Sequence, residues 1–386
     1  MTLVITDSKG NRSAPATTTA TIANQPPAVN AGPDWVITTG GTVNLSATFT
    51  DISTDTPWSY TIAWGDGSPA VSGTASSAAS PITSSHAYAR SGQYTLQVSI
   101  TDRRGATGSD NAIVNVSDPT TAQVLVGAGD IARCDRTDDE HTAALLDAIS
   151  GTVFTIGDNV LGTSSQVPDF TNCYAPSTTW GRFKARTRPA PGHMETWSPG
   201  SATYYDYWGT AAGTRGSGYY SYDLGAWHIV VLNSGGDIST AAGSAQEQWL
   251  KADLAATGNK QCTLAIWHHP RFSSTGTAVY DAVKPFWDDL YAAGAELVLN
   301  AHDEVYERFA PQTPGGVLDT QLGIRQFTVG TGGIGTSAIT AVQPNSEVRN
   351  PTVYGVLKLT LSATGYTWQF ISVGGTFTDS GTGSCH

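Results

Sequence analysis

The sequence predicts a multidomain protein in which an all-β sandwich precedes a larger α/β domain, and three observations carry this prediction. Residues 1 to about 118 contain short Thr-, Val- and Ile-rich runs separated by Gly, Asn, Asp and Pro, which is typical of strands and turns. From about residue 120, apolar strands alternate with helical segments, a pattern typical of α/β layers. An internal repeat in the first part has the size of one β-sandwich module. The length of 386 residues suffices for two or three domains.

The internal repeat sets the predicted domain boundaries. The stretch LVITDSKGNRSAPATTTATI at residues 3–22 resembles VSITDRRGATGSDNAIVNV at residues 98–116. Both place Ile-Thr-Asp before a basic, glycine-containing turn and a second strand. We therefore expect residues 1–25 to be the last hairpin of a truncated repeat, residues 26–118 to be one complete module, and residues 119–386 to be the second domain.

Two motifs of the complete module resemble a known family. They are IAWGDGSPA at residues 62–70 and HAYARSGQYTLQVSITD at residues 86–102. The module resembles the PKD domain, an extracellular immunoglobulin-like sandwich. This resemblance implies a spacer, or weak contact with a cell surface or polysaccharide, rather than catalysis. Asp66 and His86 could suggest a metal site, but roles in a turn and in strand packing explain them better.

Composition and charge exclude some functions. Only 13% of the residues are charged, and the formal net charge is −12. This charge argues against a nucleic-acid partner, because phosphate binding needs a basic face. No apolar run approaches the roughly 20 residues of a membrane span. Since Met1 leads directly into strand-like sequence, we expect a mature fragment of a secreted, extracellular or cell-surface protein whose signal peptide is absent.

Four cysteines fit an exported protein. Four cysteines allow three pairings, and none of them has the close spacing of a zinc knuckle or a redox pair. In an oxidising compartment, two disulfides are the better interpretation. We expect Cys134 to pair with Cys173 and Cys262 with Cys385; the second bond would tie the C-terminal tail to the start of a buried strand.

Four apolar strands of the second domain each run into an aspartate or a histidine. They are QVLVGAGD, TVFTIGDN, CTLAIWHH and AELVLNAHDE, and they lead to Asp130, Asp158, His268 and His302. In α/β sheets, ligands bind outside the carboxyl ends of the strands. We therefore expect these four side chains to converge. The rival interpretation is a set of solvated loop residues with no common purpose.

Helical segments separate these strands. Helices are predicted over residues 141–150, 244–256 and 278–294. Ser244 and Glu247 have capping-box spacing at the start of the second helix. This alternation supports the α/β interpretation of residues 119–386.

Aspartates and histidines at these positions suit a metal centre. Two cations roughly 3.5–4 Å apart can clamp an in-line phosphoryl displacement, and water bound to them becomes a nucleophile near neutral pH. Imidazole suits Zn, Fe and Mn, whereas carboxylates suit harder ions. The rigid stretch RPAPGHMETW at residues 188–197 offers one more ligand, His193. His302 and Glu304 can point the same way from an extended segment.

These stretches also resemble a known enzyme family. GDIA, GDNV, PGHME, WHHPRFSS and AHDEVYERF occur in the order seen in calcineurin-like metallophosphoesterases. The second domain is most similar to the secreted branch related to purple acid phosphatases, over nearly all of residues 122–375. The resemblance implies a four-layer α/β fold, in which a β-sandwich is flanked by helices, and a metal-dependent phosphoric ester hydrolase.

The resemblance implies a role for each motif residue. Asp130 matches an aspartate on the first metal, and Asp158 matches the bridging aspartate. His268 and His302 match two histidines on the second metal. The loop before His193 matches the segment where the family usually reads Gly-Asn-His-Asp/Glu.

The chain departs from the family pattern at the site itself. His193 replaces the usual asparagine ligand, and Met194 replaces the histidine that assists the leaving group. A thioether cannot shuttle protons. Glu304 replaces a histidine of the first metal. Leu161 stands where purple acid phosphatases have a tyrosine, so an iron–tyrosinate colour is not expected from that position.

The altered ligands predict one or two divalent cations per chain. The second site would consist of Asp158, His193, His268 and His302, which suits zinc. The first would consist of Asp130, Asp158 and Glu304, an oxygen set that favours Mn, Mg, Ca or Fe, or weak occupancy.

Further residues are candidates for catalysis and substrate binding. His193 could leave the metal and act as the missing acid, and Glu195 could orient a ligand histidine. His269 lines the pocket or caps a turn. The predicted catalytic residues are His193, Asp158, His269 and Glu195. The predicted substrate-binding residues are Asn159, Arg133, Trp197, Trp267 and Tyr306.

The sequence thus predicts a secreted phosphoesterase that acts on small-molecule mono-, di- or triesters by metal-bound hydroxide. Without a leaving-group acid, activated aryl esters should be favoured. The alternative is a catalytically impaired binding or adhesion module that kept the fold. Met194 and Leu161 favour this alternative, and the four strand-end residues oppose it.

Overall fold

The computed structural model describes residues 2–17, 24–118, 121–162, 167–256, 262–276, 280–375 and 377–386. The chain forms two compact units, Met1–Ser117 and Asp118–His386. Across the described ranges, we find no helix with the length and apolar character needed to cross a membrane.

The first unit is built from β-strands. Its strands are Thr2–Leu3 (β1), Ala16–Thr17 (β2), Ala28–Asn30 (β3), Trp35–Thr38 (β4), Thr42–Thr50 (β5), Trp58–Ala63 (β6), Val71–Ala75 (β7), Ile82–Ala87 (β8), Gly92–Thr101 (β9) and Thr107–Ser117 (β10). They form a five-stranded sheet, β4-β10-β9-β6-β7, and a three-stranded sheet, β3-β5-β8. Strand β5 alternates buried and exposed residues along its whole length, as a strand with one face on a core does.

The predicted hairpin of residues 1–25 is described only in part. Strands β1 and β2 pair antiparallel within it, and residues 18–23 lie outside the described ranges. Its status as a truncated repeat stays a prediction.

Asp66 and His86, the motif residues of the first unit, stabilise a turn through hydrogen bonds and ring stacking. His86 Nε2 lies 2.7 Å from Asp66 Oδ2, and its ring stacks on Trp64 with centroids 4.9 Å apart. Asp66 also accepts from the backbone N–H of Ser68. These contacts are those of a turn packed on a core.

Within its described residues, the second unit contains two large sheets and four α-helices. Its strands are Gln123–Ala128 (β11), Ala132–Arg133 (β12), Thr152–Ile156 (β13), Val160–Leu161 (β14), Thr187–Ala190 (β15), Tyr220–Leu224 (β16), Trp227–Val231 (β17), Cys262–Ile266 (β18), Leu297–Asn300 (β19), Tyr306–Phe309 (β20), Arg325–Val329 (β21), Ser346–Asn350 (β22), Gly355–Ser362 (β23), Gly365–Ser372 (β24) and Thr378–Ser384 (β25). The helices are Asp138–Asp147 (α1), Ala202–Trp208 (α2), Ala245–Ala256 (α3) and Lys284–Ala292 (α4).

The two sheets bring parallel strands to one place. One sheet has the order β15-β13-β11-β23-β24-β25, and the other has the order β16-β17-β18-β19-β21-β20-β22. Strands β11, β13 and β15 run parallel in the first sheet, as do β17, β18, β19 and β21 in the second. The polar residues that follow β11, β13, β15, β18 and β19 therefore leave each sheet at the carboxyl ends of its parallel strands.

Residues of the central strands pack into two cores. Ile229 and Leu264 lie in the core shared with β11 and β13, whereas Val230 and Ala265 lie in the core shared with α3 and α4. All four side chains are fully buried. Both faces of these strands are covered, which explains why they are continuous apolar runs.

The helices differ from the predicted ones at their starts. Helix α1 begins three residues early, at Asp138, because its first turn is acidic and suits the positive end of the helix dipole. The third predicted helix included residues 278 and 279, which lie outside the described ranges; helix α4 begins at Lys284 with Pro285 in its first turn. At α3, the hydroxyl of Ser244 accepts from the N–H of Glu247, but the Glu247 carboxylate accepts from a different backbone N–H than the capping box requires.

Both predicted disulfides are confirmed. Cys134 pairs with Cys173 and Cys262 pairs with Cys385. The second bond anchors the C-terminal segment to the start of β18, across a sequence separation of 123 residues.

His228 is a structural histidine in β17. Burial alone would lower its pKa, but hydrogen bonds to Asp223 and Asp253 outweigh burial and raise the pKa to about 9. The imidazolium is therefore the stable form in the folded protein at neutral pH.

Candidate metal centre

The predicted strand-end ligands meet at the carboxyl ends of the parallel strands. One ligand atom each from Asp130, Asp158 and His268 lies within 4.8 Å of the others, and a second such group contains His193, His268, His269 and His302. The two groups share His268. The predicted convergence of aspartates and histidines is thus present in the second unit.

The backbone is strained at three of these positions. Asp130, Asp158 and His302 adopt left-handed φ values of 53°, 47° and 70°. This region costs a non-glycine residue of the order of 1 kcal/mol. Each residue lies two positions after its strand, so the strained turn directs its side chain across the sheet edge. Such strain persists where the surrounding structure fixes it, and it concentrates at functional sites.

Asp158 is held by one carboxylate oxygen and presents the other. Its Oδ1 accepts from the backbone N–H of Met194 at 2.9 Å. Its Oδ2 lies 2.9 Å from His193 Nδ1 and 3.2 Å from His268 Nε2, yet neither approach has hydrogen-bond geometry. The carboxylate is 1% exposed. A buried carboxylate oxygen without a hydrogen bond needs another source of positive charge.

The histidine nitrogens have the spacing of metal ligands. His268 Nδ1 lies 2.9 Å from the carbonyl oxygen of Ile156, which fixes the proton there and leaves Nε2 as an acceptor. This Nε2 is 3.1 Å from His193 Nδ1 and 3.2 Å from His302 Nδ1. In a tetrahedral zinc site with bonds of about 2.0–2.1 Å, neighbouring ligand atoms lie about 3.3–3.4 Å apart. The residues present therefore fit a divalent cation.

Asp130 is the more deeply isolated carboxylate. Its Oδ2 is buried and lacks a hydrogen-bond partner, and a Cβ at Gly330 would lie 2.5 Å from it, so only glycine fits there. Burial raises the pKa of Asp130; His268 lowers it, and Asp158 and Glu304 raise it further. A cation beside Asp130 would remove this conflict.

The pKa shifts within the cluster have opposite signs. Burial lowers the pKa of His302 to about 2 and that of His269 to about 3, and the neighbouring imidazoles add to both shifts. Burial also acts to lower the pKa of His268, but Asp158 and Asp130 outweigh it and raise the pKa to about 10. The cluster favours one concentrated positive charge beside Asp158, which a proton on His268 or a cation can supply.

Glu195 has a different task from the predicted one. It was expected to orient a ligand histidine or to take part in catalysis. Instead it is fully buried, and its two oxygens accept from the backbone N–H groups of Asp158, Asn159 and Gly192 and from Asn159 Nδ2, at 2.6–3.1 Å. Burial and the nearby Asp158 raise the pKa of Glu195. Glu195 therefore ties the loop of residues 188–197 to the turn that carries Asp158.

Gly192 makes this close approach possible. A Cβ at Gly192 would lie 2.2 Å from both the backbone nitrogen and Oδ1 of Asp158. The Pro-Gly sequence before His193 thus brings two backbone segments into direct contact. This contact explains how His193 reaches the cluster.

Glu304 does not join the predicted oxygen site. Its carboxylate accepts from the hydroxyl of Ser337, and it belongs to neither group of converging ligand atoms. Its negative charge still acts on Asp130, whose pKa it helps to raise. The predicted set for the first metal is reduced to Asp130 and Asp158.

Three predicted substrate-binding residues are buried instead. Trp267 is fully buried in the core with α4, and Tyr306 is fully buried and donates to Asp379. Asn159 is also fully buried, with its amide bound to Glu195. Because all three side chains are fully buried, they are not accessible to a substrate.

Two other predicted substrate-binding residues remain accessible. Trp197 is 37% exposed, and its ring centroid lies 5.8 Å from that of His193, so it stands beside the cluster. The guanidinium of Arg133 is paired with Asp135 at 2.9 Å. Trp197 is therefore placed to contact a ligand, whereas Arg133 is already paired.

Sequence reasoning missed Ser234 and Tyr280. The Ser234 hydroxyl accepts from the backbone N–H of His269 at 3.0 Å, and the Tyr280 ring lies 5.6 Å from the His269 ring and 5.5 Å from the His302 ring. Ser234 follows β17, so the rule that drew attention to the other four strand ends could have found it. Tyr280 precedes a helix, and no sequence signal marks it.

A cleft of about 780 Å³ opens beside the histidines. His193, His269, Ser234 and Tyr280 line one part of it. The rest is mainly small and apolar, with Ile238, Ala241, Ala242, Ala282, Val283 and Pro285. None of the described lining residues is a lysine or an arginine. An apolar organic group is the ligand moiety that this cleft suits.

Comparison with known proteins identifies the N-terminal unit. Residues 24–117 match the family model of the PKD domain. This segment is a PKD domain. The PKD domain of an M14-like peptidase from a Thermoplasmatales archaeon is 23% identical, covers 25% of this chain and 100% of its own, and has a TM-score of 0.23. The PKD1 domain of Vibrio anguillarum Epp is 27% identical, with coverages of 25% and 98% and a TM-score of 0.20.

The structure of PhoD is among the solved structures that are similar over most of the chain. The structure of PhoD is 11% identical, covers 92% of this chain and 88% of its own, and has a TM-score of 0.48. No curated protein matches the sequence. At this identity and TM-score the likeness to PhoD carries no argument about activity, so the function of residues 118–386 has to be argued from the site.

Proposed function

We propose that the second unit binds divalent cations and hydrolyses phosphate esters. The observation that carries the proposal is the environment of Asp158 Oδ2. This buried oxygen lacks a hydrogen bond but lies 2.9 Å from His193 Nδ1 and 3.2 Å from His268 Nε2. A buried carboxylate oxygen without a hydrogen bond, beside imidazole nitrogens that lie 3.1–3.2 Å from one another, fits a shared cation. The family resemblance of the five motifs supports the same chemistry, and the four-layer arrangement that it implies is part of this proposal.

The residues divide into a strong site and a weak site. Asp158, His193, His268 and His302 would hold a cation that prefers nitrogen, such as zinc. Asp130 and Asp158 would hold a second, oxygen-bound cation with fewer protein ligands. Such cations would supply Lewis acidity and lower the pKa of a bound water toward neutrality.

The protein's own groups prepare the site. Glu195 and the backbone N–H of Met194 fix Asp158 in place, which limits the reorganisation that binding requires. The burial of Asp130 and Asp158 excludes bulk water and strengthens every charge interaction there. The apolar cleft beside His193 and His269 accommodates an organic ester group.

The site also restricts the leaving group. Met194 offers its backbone N–H to Asp158, and its thioether cannot protonate a departing alkoxide. Esters whose leaving group needs no proton, such as aryl phosphates, should therefore react faster than alkyl phosphates. The cleft lining, which has no lysine or arginine among its described residues, suits apolar aryl groups.

A phosphoester screen with matched variants tests this proposal. The zinc-loaded protein is assayed with 4-nitrophenyl phosphate, bis(4-nitrophenyl) phosphate and the corresponding alkyl esters. We expect aryl ester hydrolysis that D158N lowers at least 100-fold, and that D147N, an exposed carboxylate outside the site, leaves unchanged. Equal rates for D158N and the parent protein would overturn the proposal. Cation binding without hydrolysis of any ester would favour the binding-module alternative.

The PKD domain and the two disulfides belong to the same proposal. Disulfides persist in oxidising compartments. We propose an extracellular or cell-surface location, with weak contact to a surface or polysaccharide through the PKD domain. Retention of the full chain, but not of residues 118–386, on cell-wall polysaccharide would support this; equal retention would contradict it.

A further inference from the structure

His269 lies among the ligand histidines, although sequence reasoning gave it a catalytic or pocket-lining role. One ring nitrogen of His269 lies within 4.8 Å of ring nitrogens of His193, His268 and His302. Its ring centroid is 4.3 Å from that of His302 and 5.0 Å from that of His268. Four imidazoles therefore share one small volume at the edge of the cleft.

Ser234 fixes the orientation of His269. The Ser234 hydroxyl oxygen lies 3.1 Å from His269 Nδ1 and accepts from the His269 backbone N–H at 3.0 Å. When Nδ1 carries the ring proton and donates it to Ser234, Nε2 is the nitrogen with a free lone pair. Ligand histidines are held by a hydrogen bond of this kind at their other nitrogen.

The same device holds His268. Its Nδ1 faces the carbonyl oxygen of Ile156 at 2.9 Å, and its Nε2 faces the cluster. His268 and His269 are adjacent in sequence, yet each is anchored through Nδ1 by a different part of the fold. A solvated histidine does not need a fixed Nδ1. The hydrogen bonds at Nδ1 of His268 and His269 instead orient the two Nε2 atoms to bind the same cation.

We propose that His269 is a cation ligand and the fourth imidazole of a site formed with His193, His268 and His302. Asp158 supplies the adjacent negative charge. A site with four nitrogens selects Zn²⁺, Cu²⁺ or Co²⁺ and discriminates against Mg²⁺, Ca²⁺ and Mn²⁺, which prefer oxygen. The inference rests on the cation-binding part of the proposed function and is independent of ester hydrolysis. Ser234 is a positioning residue that acts through His269.

The ligand role excludes the catalytic one that the sequence suggested. A nitrogen bound to a cation has no lone pair left to carry a proton, and Nδ1 of His269 is engaged by Ser234. As a ligand, His269 should control affinity and metal choice. As a proton carrier, it should control turnover and leave the metal in place.

Copper(II) electron paramagnetic resonance counts the nitrogens directly. The full-length protein is loaded with Cu²⁺, and the superhyperfine pattern from coordinated nitrogen is compared with that of H269Q. We expect a pattern of four nitrogens that loses one nitrogen in H269Q. A pattern of three or fewer nitrogens in the unaltered protein would overturn the inference. Because this spectrum is recorded on the unaltered protein, the result does not depend on whether H269Q folds.

Zinc affinity supplies the second readout. Competition with a chromophoric chelator should show at least a 10-fold weaker affinity for H269Q and a loss of about 10-fold for S234A. H141Q, which changes an exposed histidine outside the cluster, should bind as the unaltered protein does. Unchanged zinc affinity in a folded H269Q would contradict the inference. Four nitrogens and tight zinc binding without any ester hydrolysis would uphold it while the proposed function fails.

Discussion

Replacing Glu195 with glutamine should destabilise the second unit, although the two side chains have nearly the same shape. Each carboxylate oxygen of Glu195 accepts from two N–H groups: one from Asp158 and Gly192, the other from the backbone and side chain of Asn159. An amide must turn its NH₂ group toward one of these pairs. Two buried donors then lose their acceptor and face other donors.

The structure sets the size of this effect. A buried donor without an acceptor costs about 1–3 kcal/mol. Two such donors, less the relief of repulsion between Glu195 and Asp158, give a loss of about 2–4 kcal/mol in the free energy of unfolding. In a unit of this size, the loss corresponds to a fall in Tm of roughly 5–15 °C.

Differential scanning calorimetry of E195Q tests this reasoning. The matched control is E140Q in α1, where the carboxylate accepts a single hydrogen bond from the hydroxyl of Thr178 at 3.2 Å. We expect the control to change the free energy of unfolding by less than about 0.5 kcal/mol. If E195Q unfolds within 1 °C of the unaltered protein, Glu195 does not hold the loop in the way described.

Three further predictions concern other parts of the second unit. The pKa of His228 is raised from 6.5 to about 9, so its contribution of about 3 kcal/mol is complete below pH 6.5 and disappears as the pH rises through 9. Urea unfolding of H228Q should therefore show a loss of stability at pH 6 and little loss at pH 9.5. Replacing Cys262 and Cys385 with serine should cost about 2–4 kcal/mol in the same assay, and an unchanged midpoint would contradict a role for this bond. G192A should lower zinc affinity at least 10-fold, measured by chelator competition, because its Cβ would displace the loop; unaltered affinity would show that the contact is not needed.

Much of the site could be predicted from the sequence because it follows from the ends of parallel strands. Asp130, Asp158, His268 and His302 lie where apolar runs stop, and parallel strands carry their ends to one edge. The same logic failed for Glu304, two residues beyond His302. Its side chain finds a hydroxyl donor on Ser337, which comes from a distant part of the chain. Such a competing hydrogen bond depends on tertiary structure.

The aromatic residues show a second limit. Trp267 and Tyr306 flank predicted ligands in sequence, which suggested a pocket wall. Alternation along the chain turns Trp267, the residue before His268, toward a different layer, so Trp267 packs against α4. Tyr306 begins β20 and packs on Phe370 with centroids 4.2 Å apart. Proximity in sequence is therefore a poor guide to which side chains surround a ligand.

The loop that carries Glu195 shows that a turn can be predicted more easily than the roles of the side chains in it. Pro189, Pro191 and Gly192 predict a rigid turn, and the turn is present. Glu195 accepts hydrogen bonds from the backbone N–H groups of Gly192 in this turn and of Asp158 at the end of a neighbouring strand. The proposed ligand His193 and the loop-anchoring residue Glu195 lie two residues apart, and their different roles can be distinguished only in the structure.

Zinc content per chain is the most direct test of the proposed cation site. The unaltered protein and D158N are purified identically, incubated with a small excess of Zn²⁺, dialysed against metal-free buffer, and analysed for zinc per chain. We expect stoichiometric zinc in the unaltered protein and its loss in D158N, with circular dichroism showing that both proteins are folded. Equal zinc in the two proteins, or none in either, would contradict the claim that Asp158 and the surrounding histidines form a cation site.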